Sequence, residues 1–569
     1  MKTHRIALAL AAAELISLCA SPPRAAADPA GPHLEQRGAA LQLVVRGQPF
    51  LVLGGELRNS SSSSLAYLEP IWPRLAARHL NTVLAPISWE QFEPIEGAFD
   101  DTLVDGLIKG AREHQLHLVL LWFGSWKNLV SSYAPAWVRG DPSRFPRVRD
   151  EAGRALPVLS AFAPAGRLAD ARAFSHLLQH LREVDATEQT VLMVQVENEV
   201  GVPEPGRDHS EAANAAFAAV PAALTDYLAS HHGSLNGELR ALWEAGGARR
   251  SGSWEEVFGA GPATNALFMA WHYARYIEGV AAAGEGAYPL PLLVNAAIGR
   301  QDGKIGSYPS GGVLPVALNL WQAGAPHVAI CSPDIYFGNF SNWCERYVQS
   351  GNPLFIPEMA GGEIGAGHAF LAVGRYRAIG ISPFGIDGAE PFLLGAAPAA
   401  PGPRTDSPRD DLGEAYSVLA QLSPLILAGQ REGRIGAADL GPGSPTEAIA
   451  LGGCRLEIRR WHDRRAHLDA EHGYALVIAE TDDSFIVAGK NVDVTFSTRE
   501  PGEATVEFAQ VEEGRYQDGR WIPGRRLNGD ETMLDYDLSA LAAKHQAGTG
   551  LHLGADGPVI VRVRVFRVP

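Results

Sequence analysis

The sequence predicts an α/β chain, a (β/α)8 barrel followed by a smaller C-terminal all-β, sandwich-like domain, and three observations carry that expectation. Between Phe50 and about Asp387, short apolar runs rich in β-branched residues, each closed by a polar or aromatic residue, alternate with amphipathic stretches. Eight such runs occur, the number that closes a barrel of parallel strands. Beyond Ala396 the pattern changes to alternating apolar and polar residues broken by Gly and Asp, as in antiparallel sheet.

At the N-terminus, Lys2, His4 and Arg5 precede an apolar run from Ile6 to Cys19, and Ala25, Ala26 and Ala27 precede Asp28. This is the layout of a secretory signal peptide, so residues 1–27 are expected to be cleaved after Ala27 and the mature protein to be periplasmic or secreted. The run is too short for a bilayer and is interrupted by Glu14, and no other stretch is apolar enough to span a membrane. A lipid on Cys19 is the rival reading, against which Leu18 stands where a lipobox takes a small residue. Cleavage leaves Cys331, Cys344 and Cys454. In an oxidising compartment Cys331 with Cys344 is the favoured bridge, and three buried thiols are the alternative.

The barrel is expected over residues 38–395. Its strands are read at Phe50 to Gly55, Thr82 to Ile87, His117 to Trp122, Val191 to Val196, Leu290 to Asn295, His327 to Ser332, Leu354 to Pro357 and Ile379 to Phe384. Asp101 to His114, Ala169 to Asp185 and Asn265 to Ala282 repeat apolar residues at three and four, which suits helices around it. A hairpin from Leu41 through Arg46 and Gly47 to Phe50 is expected to cap the bottom. The gap from Val200 to Leu290 exceeds one connection and implies an insertion, helical around Ala212 to His231. Ser60 to Ser64 reads as a solvated loop.

A linker and helix follow over 396–430, with the Pro, Ala and Gly of Ala396 to Asp411 leading into a helix from Leu412 to Ala428. The β domain takes 431–569, with strands at Ala475 to Glu480, Val492 to Phe496, Thr505 to Phe508 and Val559 to Val568. Gly514, Gly519, Gly524 and Gly529 read as tight turns.

Composition removes several classes of function. The 569 residues carry a net charge of −16, which argues against a nucleic-acid partner, and 46% hydrophobic residues exclude disorder as the main state. A metal-dependent barrel hydrolase would carry His-x-His after the first strand, where Gly54-Gly55-Glu56-Leu57-Arg58 stands, and no Cys pair has zinc-site spacing. Gly380-Ile381-Ser382-Pro383-Phe384 lacks the last Gly of a serine-hydrolase elbow. Neither a metal nor an organic cofactor is expected.

Catalytic groups of a (β/α)8 barrel stand at the C-terminal ends of its strands. Two of the eight runs end in glutamate: Val194-Gln195-Val196-Glu197-Asn198-Glu199 on the fourth and Phe355-Ile356-Pro357-Glu358 on the seventh. Two facing carboxylates are the machinery of glycoside hydrolysis, one protonating the leaving oxygen and one attacking or activating water. Alternation puts Gln195, Glu197 and Glu199 on one face, and a bend at the strand end would bring both Asn198 and Glu199 to the mouth. Aromatic residues that follow strands could stack on a sugar, and Trp122 and Trp126 are the candidates. Glu56 is read either as a hydrogen-bond partner for the substrate or as half of a structural salt bridge.

These motifs, with Trp89-Glu90-Gln91-Phe92-Glu93-Pro94-Ile95-Glu96-Gly97 after the second strand, resemble the β-galactosidases of glycoside hydrolase family 35, within the large clan of retaining (β/α)8 glycosidases. The resemblance implies Glu199 as acid/base, Glu358 as nucleophile, Asn198 as partner of the sugar 2-hydroxyl and Tyr336 as partner of the nucleophile. It also implies retention of configuration. The chain departs from the pattern at Phe92, where many members have His, and at Trp122 to Asn128, where those members carry a Cys-Ala-Glu stretch whose carboxylate binds galactose. The expected activity is release of terminal β-galactosyl residues from oligosaccharides or plant polysaccharide side chains. A clan relative acting on β-xylosides, β-glucosides or α-arabinosides is the alternative, as is a non-catalytic carbohydrate-binding protein.

Overall fold

The computed structural model describes residues 31–203, 206–298, 309–337, 339–388, 410–441, 443–463, 468–469, 472–499, 505–527, 529–532, 550–554 and 556–568. The expected signal segment and most of the linker 396–411 lie outside the described residues.

Three antiparallel strands, β1 (His33–Arg37), β2 (Ala40–Val45) and β3 (Gln48–Phe50), come first. The expected hairpin joins β2 to β3, with Val45 opposite Gln48 and positive φ at Arg46 and Gly47, the geometry of a two-residue turn whose twist matches its strands. Strand β1 extends this hairpin beyond the sequence expectation. The barrel strands are β4 (Val52–Glu56), β5 (Thr82–Ser88), β6 (His117–Lys127), β9 (Val191–Asn198), β10 (Leu292–Ala297), β11 (Ile330–Ile335), β12 (Phe355–Met359) and β13 (Gly380–Pro383). A side hairpin, β7 (Arg147–Arg149) and β8 (Ala155–Leu159), branches off between β6 and β9. The eight strands run parallel and close in the order β4-β5-β6-β9-β10-β11-β12-β13.

Closure follows from period-two alternation. Val52, Leu84, Val119, Leu121, Phe123, Leu192, Leu293 and Phe355 fill the interior, and Leu43 and Val45 of β2 join that cluster. Their strand neighbours Leu53, Val83, Ala85, Leu118, Leu120 and Trp122 face the outer helices. At the seam, a Cβ on Gly380 would lie 2.3 Å from the Cβ of Val52, so β13 approaches β4 this closely only through glycine.

The helices Thr102–Glu113, Pro164–Asp185 and Pro262–Ala287 cover the outside. The insertion is helical, at Glu211–Phe217, Ala222–Ser230, Gly237–Ala245 and Trp254–Phe258. Phe217 and Trp254 set it edge-on against Phe268 of the long helix.

The Asp411–Glu432 helix links barrel and β domain, and its Tyr416 hydroxyl donates to the Gly54 carbonyl at 2.8 Å. One sheet runs Ile435–Leu440, Gly473–Ala479, Ser484–Lys490, Val559–Val568, Thr505–Gln517, Arg520–Arg526; the other runs Thr446–Leu451, Cys454–Arg460, Val492–Thr498, Gly550–Leu553. Inward residues of both, such as Leu456, Val477, Val487, Val494 and Val563, form one core.

Three expectations need correction. Gly514 and Gly524 lie within strands rather than turns, where a Cβ on Gly514 would meet the Trp521 ring at 2.6 Å, while Gly519 alone of the three has the positive φ of a turn. The favoured Cys331–Cys344 bridge is not formed, and Cys331, Cys344 and Cys454 are buried free thiols, the behaviour of small hydrophobes. The serine run is not a solvated loop, because Ser61 and Ser62 are buried, donating to Asp387 and to the Pro86 carbonyl.

Lys490 ties the domains together, its buried ammonium 3.0 Å from Glu363 and 2.8 Å from Asp411. Lys490→Met removes a buried cation shared by two carboxylates and is expected to cost about 2 kcal/mol, because breaking a buried ion pair is destabilising. Urea unfolding monitored by Trp fluorescence checks it, and the midpoint should fall.

Candidate active site

The site is built where β6 and β9 part company. Trp122 pairs with Val196 and Lys127 with Asn198, so four residues of β6 bulge against the single residue Glu197. The Glu197 carboxyl fills that bulge, accepting the N–H of Ser125 at 3.1 Å and of Trp126 at 2.7 Å. Burial and the neighbouring Asp170 carboxyl push the Glu197 carboxyl well above the usual range. Glu197 and Glu199 both have positive φ, at 62° and 45°. Left-handed residues either side of Asn198 break the alternation, and Asn198 and Glu199 both reach the mouth.

There Glu199, Asp334 and Glu358 each place a carboxylate oxygen within 4.8 Å of the other two. The Glu358 surroundings are built for negative charge. Its Oε2 accepts from the Tyr336 hydroxyl at 2.9 Å, and its Oε1 accepts from Asn198 Nδ2 at 3.1 Å and from Asn295 Nδ2 at 3.3 Å. The ammonium of Lys127 stands 3.8 Å from Oε1 and donates to Asn198 Oδ1 at 2.9 Å. Asn295 also donates to Asp334 at 2.8 Å and accepts the Glu199 N–H at 2.9 Å.

Glu199 has the opposite surroundings. Burial, then the charge of Glu358, raise its pKa to about 7, with Lys127 opposing. Asp334 and Glu56 are likewise pushed well above the usual carboxylate range, by burial first and Glu358 second. One carboxyl kept protonated beside one solvated by hydrogen-bond donors is the division of labour that acid and nucleophile need. The three clustered carboxyls are the one group among the described residues with enough ligating atoms to hold a cation, but no His or Cys joins them and the Lys127 ammonium already stands beside Glu358.

The structure thus brings Glu199, Glu358, Asn198 and Tyr336 together and leaves the expected aromatic platforms out. Trp122 alternates to the outside of the barrel, fully buried against Phe92 and Phe174, its ring N–H on Asp170. Trp126 lies inside the bulge, fully buried against Tyr273 and Tyr276, with its ring N–H on the Leu159 carbonyl. Neither ring offers a sugar any surface. Glu56 is also 0% exposed, and no described group bonds either carboxyl oxygen, so the salt bridge expected as one reading of it is not formed among the described residues. In the Trp89 motif, Glu93 accepts from the Trp89 ring and the Gly97 N–H and pairs with Arg172, which closes a loop onto the Pro164–Asp185 helix. Sequence reasoning passed over Lys127, Asn295 and Asp334, although each stands at or near the C-terminal end of a barrel strand.

Residues 71–276 match the family model described as beta-galactosidase, that of glycoside hydrolase family 42, and residues 412–538 match a domain of unknown function, DUF5597. The first match includes Glu199 and ends before Glu358; it is to family 42, whereas the sequence motifs resemble family 35. No curated protein matches the chain. Similar solved structures include a beta-galactosidase from the psychrophilic Marinomonas ef1, at 14% identity and TM-score 0.43 over 67% of this chain and 60% of that one. A beta-galactosidase from Bacillus circulans sp. alkalophilus aligns at 14% identity and TM-score 0.44 over 66% and 57%. The catalytic domain of a beta-amylase from Paenibacillus polymyxa aligns at 12% identity and TM-score 0.42 over 59% and 92%. The chain therefore spans 60% and 57% of the length of the two galactosidases.

A site that raises the Glu199 pKa must lose stability with pH. The folded state keeps this proton up to about pH 7, while the unfolded chain releases it near the ordinary value of 4.5. The stabilisation is present in full below that value and is lost as pH rises through about 7. Glu199→Gln, which does not titrate, should gain on the wild type between pH 4 and 8, by an amount on the order of 3 kcal/mol. Urea midpoints of both proteins across that range check it.

Proposed function

We propose that the chain is a retaining β-glycosidase that releases terminal β-galactosyl residues from oligosaccharides or plant polysaccharide side chains. One observation carries the mechanism: Glu199 and Glu358 approach within 4.8 Å. Retaining enzymes hold their carboxyl pair about 5 to 5.5 Å apart, whereas inverting ones leave several ångströms more for a water. The choice of galactose rests on the family model matched by residues 71–276 together with the motif resemblance.

The Glu358 carboxylate attacks the anomeric carbon, and the bond from that carbon to the glycosidic oxygen breaks with its electron pair leaving on oxygen. Glu199 supplies the proton that makes the departing group an alcohol. In the second half, Glu199 takes a proton from water as its oxygen bonds the anomeric carbon, and the electron pair of the ester bond returns to Glu358. Two inversions give net retention. Tyr336 and Asn295 hold Glu358 for attack, and the Asn198 hydrogen bond to Glu358 supports the reading of Asn198 as partner of the sugar 2-hydroxyl. The charged start, apolar middle and alanine run of residues 1–27 support export of the mature enzyme.

The test is a panel of nitrophenyl β-D-galactoside, β-xyloside, β-glucoside and α-L-arabinoside, with NMR of the first-formed anomer. The β-galactoside should be cleaved fastest and with retention. Because the acid must hold its proton, kcat/KM should fall as pH rises through about 7. Glu358→Ala should lower kcat by roughly 10⁴-fold or more, and azide should rescue it to the α-glycosyl azide. Glu199→Ala with azide should give the β-azide instead. Turnover of another glycoside on the same two carboxyls would change the sugar, and binding without turnover would make the chain a lectin-like protein.

A further inference from the structure

Lys127 lies outside the expected pair of carboxyls, yet the mouth is organised around it. It ends β6 just past the bulge, with its side chain 4% exposed. The ammonium donates to Asn198 Oδ1, faces Glu358 Oε1 at 3.8 Å and lies 4.7 Å from the centre of the Phe123 ring. Four carboxyls from four parts of the barrel act on it: Glu358 on β12, Glu199 after β9, Glu56 on β4 and Asp334 on β11. In turn it is the one cation acting on Glu199, Glu56 and Asp334 among the described residues.

A buried ammonium is costly unless charges oppose it. Here burial would lower the Lys127 pKa, but the carboxyls, Glu358 foremost, raise it above its ordinary value, so the charge is permanent. The ammonium also settles the amide of Asn198. With Oδ1 fixed on Lys127, Nδ2 must face Glu358. A flipped amide would set oxygen against the ammonium's partner carboxylate and nitrogen against the ammonium.

We propose that Lys127 is the positioning residue of both half-reactions: it orients Asn198 beside the nucleophile, and it is the fixed positive charge opposite which negative charge passes from Glu358 to Glu199 and back. This inference rests on the β-glycosidase reading. When Glu358 bonds the anomeric carbon it loses its charge, and when Glu199 protonates the departing oxygen it gains one. Hydrolysis of the ester reverses both. The net charge facing Lys127 is the same in free enzyme and glycosyl-enzyme, so one cation serves both states without moving. Glu56 and Asp334, whose carboxyls are held towards the protonated form, leave that balance undisturbed.

The test uses the full chain carrying Lys127→Met, Lys127→Gln and Lys127→Arg, with two readouts. On nitrophenyl β-galactoside, Lys127→Met should lower kcat/KM by roughly 10²- to 10³-fold, as loss of one preorganised electrostatic contact does. Its basic limb should move upward by roughly one pH unit, since the charge that lowers the Glu199 pKa is gone. Lys127→Gln keeps a donor for Asn198 and should recover part of kcat while showing the same displaced limb. Lys127→Arg keeps the charge and should leave the limb in place. The second readout needs no turnover: ¹³C NMR titration of the Glu199 carboxyl, assigned with Glu199→Gln, should follow the same order. Limbs and titration unchanged in both uncharged variants would overturn the proposal and leave Lys127 a packing residue. Should the wild type cleave no glycoside, the β-glycosidase reading fails. An upward titration in Lys127→Met would even then uphold the electrostatic coupling, and an unchanged one would refute it.

Discussion

The Glu197 carboxyl gripping the N–H groups of Ser125 and Trp126 is the contact on which the mouth depends. A parallel pair in plain register would carry β6 and β9 upward side by side, with Lys127 several residues past Asn198. The grip folds four residues of β6 into a bulge, so Lys127 returns level with Asn198 and its ammonium lands on that amide. The bulge is anchored from outside as well. Ser125 bonds Asp170 of the Pro164–Asp185 helix and Tyr276 of the Pro262–Ala287 helix, and Trp122 bonds the same aspartate. A buried carboxyl pair, Glu197 and Asp170, thereby couples two outer helices to the strand end that carries Glu199. Such networks are stabilising only when every member is satisfied, which explains why these side chains are spoken for so completely.

This grip also marks where the sequence stops being readable. The eight strands could be read from their β-branched runs because both faces of a barrel strand are buried, and the glutamates closing two of them could be found because barrel chemistry sits at strand ends. Period two, applied strictly, would have sent Trp122 outward beside Leu120 and kept it off the list of sugar-stacking rings. Trp126 and Lys127 were beyond that rule, since a bulge of four residues resets the alternation and leaves no mark in composition. The bend expected at this strand end, which brings Asn198 and Glu199 to the same mouth, is made by left-handed backbone at Glu197 and Glu199, a geometry that a run of Val, Glu and Asn does not announce. Ser61 and Ser62 misled because a serine run looks solvated until an aspartate, here Asp387, is found waiting for it across the barrel seam.

Electrostatic crowding is what differentiates two otherwise identical carboxyls. Glu199 and Glu358 are chemically the same group, and the charge of Glu358 raises the cost of ionising Glu199. The symmetry is broken by donors: Tyr336, Asn198 and Asn295 all point at Glu358, while Glu199 receives none of them. Burial first, and then the charge of Glu358, keep the proton on Glu199 up to about pH 7. Lys127 and a side-chain hydrogen bond with Asp334 work the other way and lower the Glu199 pKa. The raised pKa of Glu199 is thus a product of its neighbourhood.

The strand that carries Glu358 is also set from the far side. The Gly362–Gly374 helix that follows Glu358 is apolar nearly all round, and from Gly365 onward it is almost wholly buried. On one side it packs under β13 and on the other against Ile435–Leu440 and Gly473–Ala479 of the β domain. Its small residues permit this: a Cβ on Gly367 would stand 2.3 Å from both Asp439 and His472, and one on Gly374 would stand 2.6 Å from Ala437. Lys490 reaches back from the same sheet to Glu363 at the start of the helix, and Tyr416 of the linking helix holds the Gly54 carbonyl two residues before Glu56. The Asp411–Glu432 helix covers the β4–β13 seam as the eighth outer helix, and the β domain covers the far side of the Gly362–Gly374 helix. Its core residues Tyr474, Leu476, Ile478 and Ile486 belong to the same apolar cluster as the barrel's outer wall. A domain joined in this way serves as a wall of the barrel, which is why its buried face is apolar where the barrel needs cover and its Lys490 is placed where the carboxylates of two helix starts converge.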